Sequence, residues 1–304
     1  MRGMAALLVL VTASAPTAFG GDSCKWVKYE SGKFWCNERY LYSDSNPFDS
    51  KHLDAAKRGY LYALAAALVM QTESEACHRF NAPSRLVEIQ PRPPATESGF
   101  EATTFEVYSV GDPNEIEEVV IAFAGTDELR DWKTNLGSEV QYTEASEYTA
   151  AVAKRYPGKR LVVTGYSLGG GLALHVTYDE KTKPFVAECW ALNPSPIVHA
   201  PVQIDSRTWL AASRKDIVKV IRHGGLGAPP THVATKYYLI KSHRTYAHFR
   251  WVLARNMLIA ADIALQDPLN PTRTTEPLEI LKSSKFSACG DAGDLMSRVG
   301  AVAH

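Results

Sequence analysis

The spacing of apolar residues changes period partway along the chain. From His52, the residues Leu53, Ala56, Tyr60, Leu64, Ala67 and Leu68 recur at helical intervals and predict an amphipathic helix ending before the polar run 71–75. Pro91, Pro93 and Pro94 then mark a surface linker. Beyond it the period becomes that of strands. "TFEVYSV" (104–110) alternates, Gly111-Asp112-Pro113-Asn114 reads as a turn, and "EVVIAFAG" (118–125) is an unbroken apolar run, as in a strand buried on both faces. A helix is predicted near 144–156, with Ala145, Tyr148, Ala151, Val152 and Tyr156 on one face. A strand at 161–164, a helix through Leu172 and Val176, and the strand "FVAECWAL" (185–192) follow. "TWLAA" (208–212) and "KYYLI" (236–240) read as further strands, and 248–265 as a strong helix. Alternating strands and helices imply βαβ units. The expected class is therefore α/β, a mostly parallel central sheet with helices on both faces.

The two ends fall outside this rhythm. Arg2 followed by the apolar run Met4–Ala15, with Ala18-Phe19-Gly20 as a small-x-small cleavage site, reads as a secretory signal over 1–20. The run is too short to span a bilayer, and no later apolar run reaches spanning length. The expectation is a secreted protein, or a periplasmic one in a bacterium. Residues 21–51 read as an irregular N-terminal segment, 52–266 as one α/β domain, and 267–304 as a C-terminal tail wrapped on the surface or partly disordered.

Composition narrows the partners. Thirty-three basic against thirty-three acidic residues give no net charge, and no basic cluster carries interleaved aromatics. Nucleic acid is therefore not an expected partner. Export makes disulfides available to the five cysteines. Cys24 and Cys36 flank a short aromatic segment and are expected to pair, whereas Cys189 sits in an apolar run and reads as a buried thiol. No cysteine or histidine spacing suggests a metal, and no cofactor is expected. Gly224-Gly225-Leu226-Gly227 lacks the spacing of a phosphate loop and reads as a flexible connection.

One stretch carries chemistry. "LVVTGYSLGGGLAL" (161–174) sends a β-branched strand through Gly165-Tyr166-Ser167-Leu168-Gly169 into a helix. A serine at such a turn must adopt a strained backbone that lifts its hydroxyl above the sheet, and flanking glycines let strand and helix approach. The alternative, a glycine-rich connection with an incidental serine, lacks that need for β-branched residues immediately before it. Ser167 is thus the candidate nucleophile, and the N–H of Leu168 a candidate oxyanion donor.

"VVTGYSLGGGLA" resembles the elbow of the class 3 (fungal-type) lipases, V-x-G-H-S-L-G-G-A-L-A. "VVIAFAGTDELRDWKTNL" (119–136) is similar to that family's V-x-x-F-R-G-T-x-x-x-x-D-W-x-x-D-L block. Ala124 stands where the family has Arg, and Tyr166 where it has His. The resemblance covers roughly residues 55–265 and implies an α/β-hydrolase fold, with the Thr126 N–H as second oxyanion donor. In this fold the acid and the base follow the serine in that order. Asp216, after "TWLAA" in "SRKDIVKV", resembles the family's D-x-V loop. Asp205 precedes that strand, and Asp179 ends the elbow helix. His243 and His248 both follow "KYYLI". His248, at the junction with the last strong helix, is the preferred base, and His243 stays open as the alternative. The implied reaction is cleavage of carboxylic esters of lipids, as in a triacylglycerol lipase, through an acyl-serine. A phospholipase A or a short-chain carboxylesterase is the alternative within that chemistry. A catalytically silent hydrolase-fold binding protein is the alternative outside it. The expected partner is a lipid or other ester substrate, met through transient contact with a membrane or lipid interface.

Overall fold

The computed structural model describes residues 50–72, 78–125, 139–195, 198–199, 205–213, 236–240, 250–267, 269–270 and 273–286. The stripe predicted from His52 is α1 (Ser50–Leu68), whose second half is buried on every side rather than on one face. It lies between the sheet and another helix, so no side of it meets water. Two short strands, β1 (His78–Arg79) and β2 (Leu86–Glu88), precede β3 (Ala102–Tyr108) and β4 (Ile116–Phe123). Next come α2 (Glu139–Arg155), β5 (Arg160–Tyr166), α3 (Leu168–Tyr178), β6 (Val186–Leu192), β7 (Thr208–Ser213), β8 (Lys236–Ile240) and α4 (Arg250–Leu265). The chain closes with α5 (Glu276–Ser283) and β9 (Lys285–Phe286), the latter paired antiparallel with β1.

Seven strands form the main sheet in the order β2-β3-β4-β5-β6-β7-β8. The β2-β3-β4 edge is antiparallel, and every pair from β4 to β8 is parallel. The apolar run in β4 follows from this layering. Val120 and Ala122 join a core with α1 and α4, while Val119, Ile121 and Phe123 join a second core with α2 and α3. A strand covered on both faces has no polar side to show, so it reads as continuous rather than alternating. This is a mostly parallel α/β sheet, with helices on both faces and β5 at its centre.

Across α1 the packing leaves no slack. A Cβ at Gly59 would lie 2.3 Å from the Trp190 ring of β6 and 2.8 Å from Met257 of α4. At the amino-terminal edge of the strands, an ion network ties α1 to three of them. Arg58 donates to Glu188 at 2.8 and 2.5 Å, and Arg160 bridges Glu188 and Glu118. Burial pulls the Glu188 carboxyl up, but hydrogen bonds from Arg58 and Trp190 and the two arginine charges outweigh it and hold the group below its ordinary value.

Part of the predicted tail is structured. Thr275 caps α5 with its side chain, accepting from the Leu278 N–H, and Ile280 and Leu281 are buried in the α1/α4 core. Cys189 is a buried free thiol, pushed up to about 12 by burial. The proposed signal, Cys24 and Cys36 lie outside the described residues. Among the described residues, no helix is long and apolar enough to cross a membrane.

Candidate active site

β5 ends at Tyr166 and α3 begins at Leu168, so one residue, Ser167, makes the whole turn. Its backbone sits at φ 57°, ψ −116°, a combination that a residue with a Cβ rarely adopts. The glycines make the turn sterically possible. A Cβ at Gly165 would lie 2.3 Å from the Gly169 backbone, so strand and helix cross in contact at that point. Hydrogen bonds hold the strained residue. The Ser167 N–H donates to Leu192 O at 3.0 Å, and its carbonyl accepts from Gly171 N–H at 3.1 Å and Ser195 N–H at 2.7 Å. Ser167 is 2% exposed.

The electrostatics suit a developing negative charge. Ser167 stands at the amino terminus of α3, where the Leu168 N–H has no intrahelical acceptor and the helix dipole is positive. From the other side, the exit of β4 closes in. A Cβ at Gly125 would lie 3.4 Å from Ser167 Cβ and 2.4 Å from Tyr166 O. Gly125 therefore packs against the elbow, and Thr126 is the next residue in the chain. Thr126 itself lies outside the described residues, as do Asp216, His243 and His248.

The strands that precede them in the chain are described. β5, β7 and β8 are parallel members of one sheet, so their carboxyl ends share an edge. Ser167 follows β5, Asp216 comes three residues after the end of β7, and His243 three after the end of β8. His248 stands two residues before α4. The competing acids are engaged elsewhere. Asp205, ahead of β7, is ion-paired with Arg207 at 2.6 Å, and Asp179 at the end of α3 accepts from Ser146 Oγ at 2.6 Å. His175 is eight residues along α3 from Ser167, about 12 Å at 1.5 Å per residue. Its Nδ1 pairs with Val198 O at 2.9 Å, and burial lowers its pKa.

Two further residues act on the elbow that the pattern of the sequence did not single out for function. Tyr166, in place of the family's histidine, is buried, and its hydroxyl accepts from Asn193 Nδ2 at 2.7 Å. Asn193 itself has φ 40°. A cavity of about 750 Å³ opens elsewhere, among Arg58, Tyr62, Arg85, Glu118, Arg160 and Glu276. It lies at the amino-terminal edge, where Arg160 is about 23 Å from Ser167 along β5 at 3.3 Å per residue. Within its lining, Arg85 pairs with Glu276 and Arg160 with Glu118. It is not part of the elbow.

Residues 62–187, from α1 into β6, match the family described as Phospholipase-like, Tle-like phospholipase domain. The extracellular phospholipase A1 of Serratia liquefaciens is 46% identical over 61 residues, 18% of this chain and 19% of that protein. The match thus spans under a fifth of that relative's length. Among solved structures, the Rhizomucor miehei lipase propeptide complex is similar at 16% identity and TM-score 0.40, covering 69% of this chain and 80% of that one. A triacylglycerol lipase from Penicillium expansum is similar at 15% identity and TM-score 0.38, covering 60% and 77%. By these matches, residues 62–187 are similar to a phospholipase-like domain, and 61 residues of the chain to a phospholipase A1.

Proposed function

We propose that this protein is a secreted serine hydrolase that cleaves the acyl esters of phospholipids, a phospholipase A in reaction type. The observation that carries the serine mechanism is the conformation of Ser167. It is a non-glycine residue at φ 57° in the turn that follows the central strand, at a helix amino terminus and crowded by Gly125. Strain of this kind costs about 1–3 kcal/mol and persists where surrounding structure imposes it, typically at a reactive site. The phospholipid class is supported by the matched phospholipase-like domain and by the phospholipase A1 similarity. Triacylglycerol hydrolysis is the second reading, supported by the two lipase-like motifs of the sequence.

In the mechanism we propose, Ser167 Oγ attacks the ester carbonyl while His248 takes its proton, with Asp216 orienting the imidazole. The carbonyl oxygen becomes an oxyanion held by the N–H groups of Leu168 and Thr126. The intermediate collapses, and His248 returns the proton to the leaving alcohol, a lysophospholipid. Water then attacks the acyl-serine with the same base, releasing a fatty acid and restoring the hydroxyl. The burial of Ser167 supports a substrate met at a lipid surface, where contact can displace the groups that cover it.

A panel of diacyl phospholipids, triacylglycerols and nitrophenyl esters tests the reading. Release of fatty acid and lysophospholipid, lost in Ser167→Ala, is the expected result. Turnover confined to triacylglycerols moves the substrate to the second reading, and activity surviving Ser167→Ala ends the serine mechanism.

A further inference from the structure

One short stretch, Leu192–Ser195, makes three hydrogen bonds to Tyr166 and Ser167. The parallel ladder between β5 and β6 ends at the pair Tyr166 and Leu192. Beyond a ladder's end two strands normally diverge. Here Asn193 at φ 40° turns the chain back instead, a conformation that asparagine tolerates better than most residues. The turn has three consequences at the serine. Asn193 Nδ2 reaches Tyr166 Oη at 2.7 Å, Ser195 N–H reaches the Ser167 carbonyl at 2.7 Å, and Pro194 lies against the first turn of α3, 2.9 Å from where a Gly170 Cβ would be. Asn193 is anchored in turn, since its N–H donates to Ala211 O of β7 at 2.8 Å. Tyr142 of α2 hydrogen-bonds the Ser195 side chain, so the far end of the stretch is held as well.

We infer that Asn193 is a positioning residue for the nucleophile, acting through its carboxamide on the Tyr166 hydroxyl and, with Ser195, clamping the strained Ser167 backbone. The inference rests on Ser167 being the nucleophile. An unpartnered turn could relax its left-handed φ by rotating the Tyr166–Ser167 peptide, which would swing Oγ away from the attacking position. The clamp opposes that rotation from both sides, at the side chain before the serine and at the carbonyl after it. A displacement near 1 Å at a reacting atom costs on the order of 10²-fold in rate. The effect belongs in acylation and not in substrate affinity, because the contacts are made to the turn and not to the acyl chain.

The test measures single-turnover acylation by a nitrophenyl ester, normalised to active sites by burst amplitude, together with KM and thermal unfolding. Asn193→Gly keeps the left-handed backbone and removes the carboxamide, and Tyr166→Phe removes the acceptor. Each is expected to slow acylation about 10–100-fold with KM within about twofold, and the double variant is expected to be no slower than the worse single. Asn193→Asp keeps both the backbone preference and a hydrogen bond, now donated by the tyrosine hydroxyl. It should recover most of the rate, and none of it in the Tyr166→Phe background. Single variants that acylate within about threefold of wild type and lose only thermal stability would overturn the inference. So would an Asn193→Asp as slow as Asn193→Gly. Wild-type protein with no burst and no ester turnover would instead overturn the serine mechanism and this inference together.

Discussion

Replacing Gly125 by alanine probes the oxyanion side of the site from a residue that contributes no side chain. The added Cβ would sit 2.4 Å from the Tyr166 carbonyl oxygen and 3.4 Å from Ser167 Cβ. Carbon–oxygen contacts settle near 3.3–3.6 Å, so about 1 Å of separation has to be created. Tyr166 is the last residue of β5 in the ladder with β6 and yields little. The shift therefore falls on Gly125 and carries Thr126 with it. Misplacement of about 1 Å costs on the order of 10²-fold, and loss of one oxyanion donor costs about 10²–10³-fold. The expectation is a kcat lower by about 10²-fold with KM nearly unchanged. Overpacking adds a destabilisation of about 1–3 kcal/mol, visible as a Tm lower by several degrees. Gly111→Ala is the control, since its Cβ would meet nothing closer than Ser109 Oγ at 3.9 Å. A folded Gly125→Ala protein that turns over like the control would refute the reasoning, and with it the place of Thr126 in the oxyanion hole.

Glu188→Gln should destabilise the protein by about 2–3 kcal/mol, because Arg58, Arg160 and Trp190 all lean on that carboxylate and the arginines are partly solvated. Its pH signature follows from a folded pKa held below the ordinary 4.5. The contribution is complete above that value and fades as pH falls through the lower folded value. Wild-type Tm should thus drop in acid below about 4.5, and less steeply in Glu188→Gln. His248→Ala should abolish acylation while His243→Ala keeps most of it, and Asp216→Asn should cost about 10⁴-fold in kcat; the reverse histidine result reassigns the base. Peptide mapping without reduction should find Cys24 joined to Cys36, and free alkylation of both would remove the pairing.

What the sequence disclosed depended on how far each signal reached along the chain. The β4 run and the stripe of α1 were legible because burial on one or both faces imposes a period within a few residues. The elbow was legible because a turn with no room for side chains demands glycines at fixed spacing around Ser167. By contrast, α5 is only eight residues long and lies among prolines, so no period could develop. Thr275 followed by Pro277 is its remaining signal, a cap and a first-turn proline. β2, with three residues, is likewise below the length at which alternation means anything. Asn193, just past the strand read at 185–192, carried no signal in the sequence, because its role depends on a left-handed backbone and on a hydroxyl 27 positions earlier in the chain. No local pattern encodes such a pair. Asp216 and His248, the acid and base of the proposed triad, lie outside the described residues, and their assignment rests on chain order and motif.

Acylation of Ser167 is the central step of the proposed mechanism. The direct measurement is to expose the protein, with phospholipid vesicles present, to a fluorophosphonate probe and to map the modified peptide by mass spectrometry. Stoichiometric labelling within residues 161–174, at Ser167, with parallel loss of phospholipid hydrolysis, is the expected outcome. Labelling at another residue, or hydrolysis that continues with Ser167 fully modified, would contradict it.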